Sequence, residues 1–230
     1  MTYKKTEFYQ ALTSGAYPVI VSLARHDLDL AKAALDGGAY ALKTHLNAYH
    51  RATGTTFGTF EQERPFFEQL AKLGCPLLVM AGQETVPTAE EMDALADLGF
   101  EGFNVYIDHL QPHLLQSRLR PMPALASTSK PEDIQSIAAI PGCIIEASIM
   151  PFERYRTAMT PADLDRYRTI AAAVDVPVIV PSQLSFTPDD LAQLRQAGIA
   201  APLLGAIVTG DTPDSMRKAV EAMVKRTETT

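Results

Sequence analysis

The chain has 230 residues, 47% of them hydrophobic and 20% charged, with a formal net charge of −7. That length suits two small domains or one α/β barrel, and it is enough to bury a large core. An acidic balance with no basic stretch excludes nucleic acid as a main partner, because binding a phosphate backbone needs a basic face.

The opening MTYKKTEFYQ carries two lysines with no apolar stretch behind them, so no signal peptide is expected. No apolar run approaches the length of a membrane span. Cys75 and Cys143 form no CxxC and read as reduced, structural thiols, so a cytoplasmic location is expected.

From there one pattern repeats. Short runs rich in Val, Ile and Leu occur at 18–24, 39–45, 76–82, 103–108, 121–127, 143–150, 177–183 and 202–210. Between them lie segments of helical periodicity: Leu28–Asp36, Phe60–Leu73, Thr88–Leu98, Pro112–Leu119, Pro131–Ala139, Pro161–Val174, Thr187–Ala197 and Thr212–Lys225. Strands without polar alternation suit a buried parallel sheet. TPADLD, TPDDLAQL and TPDSM place Thr at the N-cap, Pro at the first helical position and acid in the first turn. Eight strands alternating with eight helices predict a closed (β/α)₈ TIM barrel, with Lys4–Ser14 as a capping helix at its floor. No linker interrupts the pattern, so residues 1–230 read as a single domain.

In such barrels the active site lies at the carboxyl ends of the strands. The polar residues predicted there are Ser22, Arg25 and His26 on the first, Lys43, Thr44 and His45 on the second, and Gln83 after the third. Asp108 and His109 end the fourth, Ser127 and Thr128 follow the fifth, and Glu146 and Ser148 stand on the sixth. Ser182 and Gln183 end the seventh, and Thr209 ends the eighth. All five histidines follow the first, second and fourth strands.

Lys43 and Glu146 interrupt apolar strands, where a charge is costly unless paired. Facing each other they could act as general acid and base, or the lysine as an amine nucleophile; a purely structural ion pair is the alternative. His45 and His109 would orient or polarise the substrate, with Asp108 beside them. His45, His50, Asp108, His109 and His113 could converge on a divalent ion, but acid–base histidine without metal is preferred, and no cofactor is expected. The end of the eighth strand, with Gly205, Thr209 and Gly210 before a helix start, reads as an anion site to which Ser182 and Gln183 add donors. The competing reading is that Asp211 and Asp214 merely cap the last helix.

Two loops complete the set. LNAYHRATGTTFGTFEQERPFF is long for a βα connection and reads as a mobile flap, or as a subunit contact anchored by Phe57 and Phe60 in a homo-oligomer. IMPFERYRTAMTP offers Arg154 and Arg156 as cations for an acidic substrate, or as a solvated loop.

The tail TPDDLAQLRQAGIAAPLLGAIVTGDTPDSMRKAV, with VIVSLA at the first strand and PALASTSKPED at the fifth, resembles the ribulose-phosphate-binding barrel superfamily. Within it the likeness is greatest to the N-acetylmannosamine-6-phosphate 2-epimerase family. The resemblance implies the barrel fold, a small phosphorylated substrate and a phosphate seat at Gly205, Thr209 and Gly210. It does not carry over that family's catalytic pair. Its lysine belongs at the end of the third strand, where this chain has VMAGQ, and its glutamate on the seventh, where it has IVPSQ. The strand-seven glycine pair is absent too. The expected activity is isomerase or epimerase chemistry on a sugar phosphate by proton transfer next to a carbonyl, with Ser22 and Arg25 also at the substrate. A class I aldolase or lyase using Lys43 as a Schiff-base amine, and a non-catalytic phosphometabolite-binding barrel, stand as alternatives.

Overall fold

The computed structural model describes residue 3 and residues 6–228; Lys4 and Lys5 of the predicted leading helix lie outside the described residues. The first half of the chain runs α1 (Glu7–Thr13), β1 (Ile20–Ser22), α2 (Leu28–Asp36), β2 (Ala41–His45), β3 (Ala48–His50), β4 (Thr55–Phe57), α3 (Phe60–Leu70), β5 (Leu77–Met80), α4 (Ala89–Asp97) and β6 (Phe100–Asn104). The second half runs β7 (Arg120–Pro121), β8 (Ala124–Leu125), α5 (Pro131–Ala138), β9 (Ile145–Ala147), α6 (Pro161–Ala172), β10 (Val178–Pro181), α7 (Pro188–Gln196), β11 (Ala201–Leu204), α8 (Ala206–Thr209) and α9 (Pro213–Glu228).

The main sheet is parallel, in the order β7-β6-β5-β2-β1-β11-β10-β9-β8. Its two edge strands are halves of one extended stretch, 120–125, and that stretch closes the ring. The N–H groups of Met122 and Ala124 donate to Phe103 and Val105 on one side, while the carbonyls of Pro121 and Pro123 accept from Ile144 and Glu146 on the other. Proline has no N–H to complete the second ladder, which is why one stave divides into two short strands. Counting it once leaves eight staves, the expected TIM barrel.

Side chains alternate between the two faces of each strand. One set, including Val21, Leu42, Val79, Phe103, Ile145 and Val180, packs outward against the helices. The other fills the barrel: Ile20, Ala41, Leu78, Met122, Ile144, Ile179 and Ala201, closed from below by Phe8 and Leu12 of α1. Threonine starts the helices as expected. Thr59, Thr88, Thr160 and Thr187 each accept from the backbone N–H three residues on, in a reciprocal capping box.

Four expectations change. The fourth strand lies at Phe100–Asn104 rather than 103–108, because Glu101 and Gly102, poor strand formers, are carried inside it. The helix expected at Pro112–Leu119 is one 3₁₀ turn, Leu114–Gln116, after which Ser117 is extended to reach β7. The eighth strand ends at Leu204, because Gly205 donates to the Ser182 hydroxyl instead of to a neighbouring strand and the chain turns into α8. The long second loop is an antiparallel hairpin, β3–β4, and Phe57 and Phe60 are buried in this chain's own core, not free to anchor a partner.

Candidate active site

The period of two that fills the barrel also builds the site. Two residues beyond the apolar floor, on the same inward face, stand Ser22 above Ile20, Lys43 above Ala41, Asn104 above Gly102 and Glu146 above Ile144. These residues form the floor of a cavity of about 350 Å³ at the carboxyl ends of the strands.

Lys43 and Glu146, on opposite staves, meet there. The ammonium donates to Glu146 Oε2 at 2.5 Å and to Asn104 Oδ1 at 3.2 Å. Ser148 donates to the other carboxylate oxygen, Oε1, at 3.0 Å, and Asn104 is turned toward the lysine because its Nδ2 donates to the Met122 carbonyl at 2.8 Å. The Lys43 and Glu146 side chains are only 4% and 6% exposed. An ion pair so buried survives only with its remaining hydrogen bonds made, and here the neighbours make them. An ammonium has three N–H bonds; two are used, and the third is free for a ligand. The Tyr106 phenol lines the same cavity, and burial pushes its ionisation up.

Three histidines lie on this side of the barrel. His45, two residues beyond Lys43 on the same face, lines the cavity, stacks on Phe57 and meets His50 edge-on. Burial, then the nearby His50, Lys43 and His26, hold it well below the usual imidazole range, so it is neutral. Its Nδ1 is buried with no hydrogen-bond partner among the described residues. His50, also at the cavity, is lowered to about 4 by burial and then by Lys43. His26 faces away: it stacks on Phe66, with Nε2 on the Thr44 hydroxyl and Nδ1 on Glu63. Glu63 in turn accepts from Gly58 N, so this relay anchors the hairpin to β2.

The hairpin crosses the mouth. It leaves the stave of β2 and reaches the loop after β9, the opposite stave. There Arg156 donates to the Ala52 carbonyl at 2.5 Å, and the Arg51 guanidinium lies over the Phe152 ring, 5.5 Å from its centre. On the other side the Gln83 amide brackets Tyr49, accepting from its N–H and donating to its carbonyl.

The remaining predicted residues divide. Ser22, Asp108, Ser182, Gln183 and Gly205 line the cavity. Asp108 sits on a 3₁₀ turn past β6, exposed at the rim, while His109 lines a neighbouring depression instead of the cavity. Gln183 is a scaffold: it accepts from Met150 N and donates to the Tyr155 hydroxyl. Arg25 is outside the cavity, paired with Asp27 and donating to the Asp211 carbonyl. Thr209 is buried with its hydroxyl on the Gly210 carbonyl, and Gly210, at φ +67, serves the turn into α9; neither borders the cavity. Arg154 pairs with Asp163 at the start of α6, and Arg156 holds the hairpin, so both cations are structural. His113 is tied to the Pro87 carbonyl. Among the described residues no three His, Cys, Asp or Glu side chains converge as metal ligands.

Asn104, Tyr106 and Arg51 were missed as site residues. Asn104 and Tyr106 were hidden by the displaced fourth strand, which put them inside the strand instead of at and beyond its end. Arg51 lay in a loop whose pairing no local pattern announces.

No protein-family model matches the chain, and no curated protein matches it. Solved structures do. A tryptophan synthase structure from Mycobacterium tuberculosis superposes with a TM-score of 0.72 at 13% identity, covering 99% of each chain. The tryptophan synthase alpha subunit of Legionella pneumophila gives 0.72 at 12%, over 96% of this chain and 98% of that one. Thiamine phosphate pyrophosphorylase from Pyrococcus furiosus gives 0.66 at 14%, over 95% and 98%. The likeness is one of fold. These neighbours are enzymes built on TIM barrels, and none of the three is an epimerase. Among the described residues no helix is long and apolar enough to cross a membrane.

Proposed function

We propose that the chain is an enzyme that moves a proton next to a carbonyl of a small phosphorylated sugar or polyol, as an isomerase or epimerase. The observation that carries this is the buried Lys43–Glu146 pair on the cavity floor, each member oriented by a neutral neighbour. Glu146 removes the C–H proton, and the carbonyl oxygen, as it gains negative charge, takes the free N–H of Lys43. For isomerisation the carboxylic acid so formed returns the proton to the neighbouring carbon, while Lys43 gives a proton to the first oxygen and takes one back from the adjacent hydroxyl, so both groups end the cycle as they began. Epimerisation needs the planar intermediate to turn its other face to Glu146 before the proton returns. Neutral His45 offers a second hydrogen bond to an oxygen of the substrate. Asn104 and Ser148 position Lys43 and Glu146. The phosphate seat is Ser182 with the first turn of α8, where the N–H groups of Ala206 and Ile207 have no carbonyl partner within the helix. Resemblance to the ribulose-phosphate-binding superfamily and the enzyme neighbours support the same reading.

The test is proton exchange. A panel of ketose phosphates and 2-acetamido-sugar phosphates is incubated in D₂O and read by proton NMR. Deuterium should enter next to the carbonyl of one compound, and Glu146→Gln and Lys43→Met should each slow this at least about a hundredfold. The aldolase reading makes a different demand: the ion pair must break to free the amine for Schiff-base formation. Borohydride trapping of a substrate-derived mass on Lys43, without deuterium exchange in the parent compound, would decide for it.

A further inference from the structure

The phosphate seat assigned above carries no charge of its own. Ser182 Oγ accepts from Gly205 N at 2.7 Å, which leaves its proton for a ligand, and the other donors there are backbone N–H groups. An anion taken out of water among neutral groups alone keeps most of the cost of its charge, and a cation within reach offsets it. Among the described residues two cations line the cavity, Lys43 and Arg51, since its histidines are held neutral. Lys43 is committed to Glu146 and Asn104 on the floor. Arg51 forms no ion pair among the described residues, not even with Asp108 at the rim, and its guanidinium lies against the Phe152 ring.

Two runs of contacts carry Arg51 to the end of the cavity where Ser182 stands. β9, β10 and β11 are consecutive staves. The guanidinium is 5.5 Å from the centre of the Phe152 ring, in the loop after β9, and that ring is 5.2 Å from the ring of Tyr155. The Tyr155 hydroxyl accepts at 2.8 Å from Gln183, the residue after Ser182. By the second run, Arg156 donates to the carbonyl of Ala52, the residue after Arg51, while its own backbone N–H donates to the Gln183 carbonyl at 3.1 Å. The tip of the hairpin is thus docked on the end of β10. A guanidinium stacked on an aromatic face keeps its in-plane N–H fork, which grips a phosphate with two bonds. With Gln83 holding Tyr49 and Arg156 holding Ala52, the backbone on both sides is pinned, so the side chain loses less freedom when it binds.

We infer that Arg51 is the cation of the phosphate seat, a specificity-determining residue that binds from the hairpin the same phosphate that Ser182 binds from the barrel, and so selects phosphorylated substrates over their neutral parents. This rests on the phosphorylated substrate of the proposed function and is independent of the proton transfer.

The experiment measures binding of inorganic phosphate, fructose 6-phosphate and fructose, as probes, by isothermal titration at low and high salt. Wild type should bind fructose 6-phosphate at least tenfold more tightly than fructose, with the advantage shrinking as salt rises. Arg51→Gln should weaken both phosphates about tenfold or more and flatten their salt dependence, with fructose unchanged, and Arg51→Lys should restore part of the loss. Arg51 is exposed, so circular dichroism should show these variants folded. Ser182→Ala, alone and with Arg51→Gln, completes a cycle: groups on one phosphate couple, so the double variant should lose less than the product of the two single losses. Phosphate affinity that survives Arg51→Gln, or losses that simply multiply, overturns the inference and leaves the seat at Ser182. If neither phosphate binds wild type, the inference and the phosphorylated substrate fall together. If binding depends on Arg51 but no compound exchanges deuterium, the proton-transfer reading falls and the role of Arg51 stands.

Discussion

Replacing Lys43 by methionine keeps most of the side chain's bulk and removes its charge. What remains is Glu146, 6% exposed, with Ser148 still donating to one oxygen. Breaking a buried pair from one side costs about 3–5 kcal/mol, since it strands a charge in a poorly polarisable interior. The stranded carboxylate can escape by taking a proton, and that escape caps the loss. An ordinary glutamic acid, with a value near 4.3, needs about 1.4 kcal/mol per pH unit above it, which is about 3.7 kcal/mol at pH 7 and about 1 kcal/mol at pH 5. The sign follows from proton counts: the unfolded variant releases the proton its folded form holds, so the penalty grows as pH rises. Lys43→Met should therefore lose about 3–4 kcal/mol at pH 7 and about 1 kcal/mol at pH 5, and Lys43→Met/Glu146→Leu should recover most of it. Urea denaturation followed by far-UV circular dichroism measures this, the chain having no tryptophan to report by fluorescence. A variant within about 0.5 kcal/mol of wild type at pH 7, or a loss equal at both pH values, would refute the reasoning. Lost stability in Lys43→Met alone therefore does not argue against catalysis. A stable double variant that has lost exchange separates a working pair from a merely structural one.

Three further outcomes are expected. His50 stays neutral when folded down to about 4 but takes a proton near 6.5 when unfolded, so stability should fall as pH drops between these values; His50→Gln should be spared about 3 kcal/mol of that fall, read from urea midpoints at pH 7 and 4. Ser148→Ala removes a hydrogen bond to a charged group, worth about 1.5–3 kcal/mol, and should slow deuterium exchange ten- to a hundredfold with little change in KM, Ser148→Thr retaining most of the rate. Gly82 has φ +131, and a Cβ there would lie 2.1 Å from the Thr85 carbonyl oxygen; Gly82→Ala should cost about 2 kcal/mol or more in urea denaturation and, by moving Gln83, open the hairpin at 48–57 to limited proteolysis.

The barrel, the positions of most strands and helices, and the inward polar faces of the second and sixth staves are local properties. Period two in ALKTH and IIEAS puts Lys43 with His45 and Glu146 with Ser148 whatever the surroundings, and threonine caps mark helix starts by their own hydrogen bonds. Those features were legible in the residues alone. Which charges are spent is not local. Arg156 looked like a substrate cation because its partner, the Ala52 carbonyl, lies 104 residues away, while Arg25 and Arg154 are spent on Asp27 and Asp163, close in the chain but turned to them only by the folded loops. Arg51 became the unspent one only once a hairpin carried it across the mouth to Phe152. Closure of the ring likewise depends on a stave with two prolines sharing its bonds between two neighbours. Burial then decides the rest: an imidazole is neutral, and an ion pair is worth holding in place, only when tertiary packing has taken the water away.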